Sequence, residues 1–182
     1  MFTKVDAKRY RVAIEREQGP ALVPRHAPGY DDLMPHDVAH YLVEESYEIE
    51  LGVWGQLAAG GGGIFAPAPE DNTLRHQRRA QRIAAVGRAD MARSEQLVVL
   101  TVATWERSIG RVRQRTLPAP LDVDPDELAA AVRRMTDVAD QWRALPHGGF
   151  LEFTWPRRLT FDAATSHRGR RNPRRTRTVT RR

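Results

Sequence analysis

Cysteine is absent from the 182 residues of this chain. That excludes a disulfide framework, a thiolate metal site and a cysteine nucleophile. Lysine is nearly absent: Lys4 and Lys8 are the only two, and arginine supplies the rest of the 29 basic residues. Such a bias follows readily from a GC-rich coding sequence, so arginine content alone does not argue for nucleic acid. Long apolar runs are missing as well. The stretch around Leu97–Val99 is interrupted by Thr101, too soon for a membrane span. Met1–Val12 carries charges where a signal peptide needs an apolar run, so the expected location is cytoplasmic. Acidic residues are missing after Ser166, where Arg168, Arg170, Arg171, Arg174, Arg175, Arg177, Arg181 and Arg182 fall. The preceding chain holds 21 basic and 23 acidic residues, or −2, against +6 for the whole. The basic character therefore belongs to the tail.

What is present suits one globular domain, residues 1–166, followed by a disordered arginine-rich tail at 167–182. Lys8–Glu15 alternates Tyr10, Val12 and Ile14 against Arg9, Arg11 and Ala13, the period of a half-buried strand. Pro24, Pro28 and Gly29 keep the next stretch irregular. Asp31 and Asp32 offer caps for a helix over Leu33–Leu51 that stops at Gly52. Gly60–Gly63 reads as a flexible connection. It lacks the Gly-Lys-Ser/Thr of a phosphate loop. A second helix covers Thr73–Val86. Its Arg75, Arg78, Arg79 and Arg82 form a basic face, read as solvated surface. A third helix starts near Asp90 or Ser94. It carries Val98, Val102, Trp105, Ile109 and Val112 as one apolar stripe, although Leu97–Val102 reads alternatively as a strand. Asp124-Pro125-Asp126-Glu127 marks a helix start, and Leu128, Val132, Met135, Ala139 and Trp142 form its stripe. These two helices are expected to make a hairpin. Phe150–Trp155 reads as a strand that pairs with Lys8–Glu15. The expected class is α+β: about four helices in a bundle-like domain, with a small antiparallel strand pair from the two ends. Trp54 and Trp142 are expected in the core.

The densest group of ligand-type side chains is Pro35–Glu45. On a helical wheel Asp37, Tyr41, Glu44, Glu45 and Glu48 share one arc, while His36 and His40 sit at the edge of the apolar arc. Two imidazoles one turn apart at a core boundary suit a shared divalent ion, zinc or similar. Asp37 is the candidate third ligand, or an acceptor that fixes a histidine tautomer. Glu44 lies too far along the axis to join both histidines on one ion, and stands as the candidate catalytic base. A further ligand would come from another segment: His26, His76, Glu95 or His147. Ordinary hydrogen bonding of boundary histidines and metal-free acid–base chemistry both remain open. No serine sits in a nucleophile-elbow context.

His36-Asp37-Val38-Ala39-His40 resembles the H-D-x-x-H of the ubiquinone-biosynthesis accessory family, where a later Glu completes a zinc site. This chain has Gly52 at that Glu's position, so the zinc function is not carried over. The longer stretch Pro35–Glu44, followed by Gly52-Val53-Trp54-Gly55 through Gly60, is similar to small uncharacterised actinobacterial proteins. That likeness covers about a sixth of the chain and implies no activity.

Three kinds of function follow from these readings. One is a metal-binding domain with hydrolytic chemistry as its extension. Another is a protein-interaction module without chemistry. The third is sequence-independent nucleic-acid contact through the tail, with Arg168, Arg170, Arg171, Arg174 and Arg175 foremost.

Overall fold

The computed structural model describes residues 1–6, 8–28, 33–111 and 121–161. Asp31, Asp32, Val112 and the arginine-rich tail lie outside them. The class is α+β, as expected. Strands β1 (Phe2–Lys4), β2 (Arg9–Val12), β3 (Arg25–Pro28) and β4 (Phe150–Leu151) form one sheet. Around it lie α1 (His36–Ser46), α2 (Val53–Ala58), α3 (Leu74–Val86), α4 (Arg88–Ser108) and α5 (Pro125–Ala144). No helix among the described residues is long and apolar enough to cross a membrane.

The sheet has four antiparallel strands in the order β3-β2-β1-β4 rather than the expected two. β2 follows the alternation read from it, with Tyr10 and Val12 buried and Arg9 and Arg11 exposed. Its expected partner was the Phe150–Trp155 strand. Instead β1 lies between them, with Phe2 opposite both Val12 and Leu151. A three-residue strand is too short to show a period, which is why β1 escapes sequence reading. β3 escapes because Pro24 precedes it and Pro28 ends it, yet it pairs only with β2 at the sheet edge, where proline is tolerated. Lys4 ties the sheet to α5: its Nζ donates to the carbonyls of Trp142 and Leu145 at 3.2 and 3.1 Å, where α5 ends and a cation is favoured.

α1 is the central helix and packs on α2, α4 and α5. Its expected end is Leu51, but it stops at Ser46. The reason is a Schellman closure: Ile49 N–H donates to the Glu44 carbonyl at 2.9 Å, and Glu48 takes φ 52°. The residue in the left-handed position is Glu, so the usual glycine signal is absent. The chain then turns into α2, which no periodicity in the sequence announces. α3 and α5 begin as expected. Thr73 accepts from His76 N, and Asp124 accepts from Asp126 N and Glu127 N.

The core centres on Phe2, Tyr10, Val12, Val38, Leu42, Trp54, Leu97, Met135 and Trp142. Burying each of the larger ones stabilises the fold by about 1.5–3 kcal/mol. Leu97–Val102 is helical, and the buried face of α4 runs through Leu97, Val98, Thr101, Val102 and Trp105. The stripe stops there, for Ile109 is 41% exposed. On α5, Leu128 and Val132 are only half-buried, while Ala131 and Val138 join Met135, Ala139 and Trp142 inside. The Gly60–Gly63 run, expected to be a flexible link, starts as a packed turn. Gly60 has φ 86°, Gly60 and Gly61 are buried, and Arg16 donates to the carbonyls of Leu57 and Gly61.

Candidate functional site

The Pro35–Glu45 cluster falls on α1, but its polar groups point to different neighbours. Asp37, expected as a ligand, is drawn to the sheet. Its Oδ2 lies 2.6 Å from Arg25 Nη2 on β3, and its carbonyl accepts from Trp54 Nε1 at 3.1 Å. This anchors the first turn of α1 to β3 and α2.

Glu44, expected as a base, is fully buried. Oε1 accepts from Val53 N at 2.7 Å and Oε2 from Trp54 N at 2.8 Å, so the carboxylate satisfies N–H groups that open α2 and have no partner within the helix. Ser94 of α4 donates to Oε1 at 2.7 Å. Burial raises the Glu44 carboxyl to about 7, against the pull of these donors. One side chain thus joins α1, α2 and α4. Gly52 makes the approach possible, because a Cβ there would lie 2.3 Å from Glu44 Cδ. Both oxygens are occupied, and Ser94, which donates to Glu44, also lies beside His40.

His40 is buried, and its ring has two different edges. Nδ1 lies 3.3 Å from Ser94 Oγ and 3.9 Å from Glu44 Oε1. Nε2 lies 3.9 Å from Glu95 Oε2, whose side chain is 60% exposed. The His36 ring, on the exposed edge of α1, stands 4.8 Å from the His40 ring, centre to centre, at 67°. Desolvation, then the neighbouring His36, lowers the basicity of His40 and favours its neutral form; Glu95 and Asp37 oppose this.

Of the four outlying candidates, Glu95 is the one brought to His40. His26 sits on β3 opposite Arg11, His76 Nδ1 lies 2.7 Å from the Asp71 carbonyl, and His147 is exposed beyond α5. Among the described residues, no group of three or more His, Asp or Glu side chains is already placed to hold a metal ion. Ser94 is a site residue that sequence reading misses. Its signal is present all the same: a small polar residue on the face of α4 that continues into Leu97, Val98 and Thr101.

Two cavities lie elsewhere. One of about 510 Å³ is lined by Leu33, Trp105, Ile109, Thr136, Ala139 and Asp140. One of about 430 Å³ is lined by Ile14, Tyr41, Trp54, Phe153, Trp155 and Glu152, among others. Neither is lined by His36, His40 or Glu95. Trp54 and Trp142 are core residues, 8% and 0% exposed. On α3, Arg75, Arg78 and Arg82 are exposed, whereas Arg79 bonds the Ala59 carbonyl and Gln18. Comparison with family models, with curated proteins and with solved structures gave no match to this chain.

Proposed function

We propose that the α1–α4 surface of this protein binds one divalent metal ion through His36, His40 and Glu95. The observation that carries this reading is a pair of approaches that share His40, one from Glu95 and one from His36. The His36 ring stands 4.8 Å from the His40 ring, and His40 Nε2 and Glu95 Oε2 are 3.9 Å apart. Two ligand atoms at the usual 2.0–2.2 Å from one ion sit slightly closer together than that. Glu95 and His36 are exposed, so their side chains rotate inward at little cost, while His40 is fixed by its surroundings. Asp37 stays with Arg25, and Glu44 stays under α2. The remaining coordination positions are left to water. The reading is of ion binding alone.

Metal analysis and thermal melting of tag-free protein test it. The expected result is one zinc or similar ion per chain and a melting point raised by the ligand. His36→Ala and Glu95→Gln, both at exposed positions, should lower that affinity at least tenfold while leaving the apo melting point within a degree or two. Absence of stoichiometric metal, with no shift on adding zinc, nickel or manganese, would contradict the reading. Unchanged binding in both variants would do so as well.

A further inference from the structure

The Nδ1 edge of His40 faces a hydrogen-bond chain that runs one way once Glu44 is ionised, as it is at pH 8. Toward the ionised carboxylate, the Ser94 hydroxyl spends its one proton on Glu44 Oε1, at 2.7 Å. Its oxygen is then left as an acceptor toward His40 Nδ1, 3.3 Å away. The other oxygen near Nδ1 is Glu44 Oε1, at 3.9 Å, also an acceptor. Both groups facing Nδ1 call for a proton on that nitrogen.

We infer that Ser94, backed by Glu44, is a positioning residue. It holds neutral His40 with its proton on Nδ1, leaving Nε2 as a bare lone pair toward Glu95 and His36. This deepens the cation reading above and rests on it for the identity of the ion. An imidazole lone pair suits zinc, nickel or cobalt, and offers little to magnesium or calcium, which take oxygen donors. The lock itself belongs to the metal-free protein. The arrangement also accounts for Glu44 and Gly52 as parts of one device. Gly52 lets the carboxylate sit under α2, the carboxylate orients the serine, and the serine orients the ring.

Long-range proton–nitrogen correlation spectra of ¹⁵N-labelled, metal-free protein at pH 8 test the lock directly. The expected spectrum for His40 has a protonated Nδ1 and an unprotonated Nε2. A protonated Nε2, or a ring exchanging between the two forms, overturns the inference. In Ser94→Ala the His40 ring should lose its single tautomer, and zinc affinity should fall 10–100-fold. Unchanged spectrum and affinity in that variant also overturn it. The wild-type spectrum stands even if Ser94→Ala folds poorly. Titration separates the two readings. A locked Nδ1–H tautomer with no zinc binding supports the lock and sinks the cation site. Zinc binding with the opposite tautomer sustains the site and sinks the lock. Magnesium binding as tight as zinc contradicts the assigned ion class.

Discussion

Glu44 shows how one residue can look catalytic in sequence and act structurally in space. It is legible as a candidate because it lies in the dense ligand-type stretch Pro35–Glu45, one turn after His40. Its destination is not legible, because Val53, Trp54 and Ser94 approach it from other elements. The same contacts make Gly52 intolerant. Gly52→Ala forces a methyl against a buried carboxylate, and is expected to cost about 3 kcal/mol, read from the denaturation midpoint. Gly62→Ala is the control. Its nearest neighbour would be Phe65 O at 3.8 Å, so little change is expected. The carboxyl also has a pH signature. Its folded value near 7 lies above the ordinary 4.5, so the folded state holds the proton more tightly. Stability from this group is fully present below about pH 4.5 and is lost as pH rises to about 7, by on the order of 3 kcal/mol. Glu44→Gln is expected to lower stability at every pH, since its amide N–H₂ meets a backbone donor. It should also flatten the decline between pH 5 and 8. An equal pH slope in wild type and variant would contradict the assignment.

At the scale of elements, legibility depends on whether the stop and start signals are local. α3 and α5 carry their caps in sequence, at Thr73 and Asp124, and both begin within a residue or two of the expected start. The end of α1 is misread because its left-handed residue is Glu48. Glu48→Gly is therefore expected to stabilise the protein by about 1 kcal/mol, against the loss of an exposed ion pair to Arg158 that contributes little. A melting point that falls in Glu48→Gly would argue against the Schellman closure. The apolar stripe of α4 is half right in sequence. Val98, Val102 and Trp105 are inside, but the stripe begins at Leu97 and gives out before Ile109. Leu97→Ala should cost about 2–5 kcal/mol, and Ile109→Ala under about 1 kcal/mol. Comparable losses from the two would contradict this register of the buried face.

For the whole molecule, the expectation that the two ends of the domain meet in a sheet holds, although through β1 rather than β2. The α+β class is readable because two long helices carry clear stripes. The strand order is not, since β1 is too short to carry a pattern and the prolines of β3 hide it. Charge is likewise a whole-chain property: the residues before the tail are near neutral, and the cations concentrate after Ser166. Any sequence-independent nucleic-acid binding is therefore expected to vanish on deleting residues 167–182 and to weaken steeply with salt. Full affinity in the truncated chain, read by a fluorescence titration, would refute that assignment. The central claim concerns α1 and α4, and diffraction from crystals soaked in zinc, with data at the zinc absorption edge, tests it most directly. The account predicts one anomalous peak at 2.0–2.2 Å from His40 Nε2, a nitrogen of His36 and an oxygen of Glu95. Peaks only at other histidines, or no peak beside His40, would contradict it.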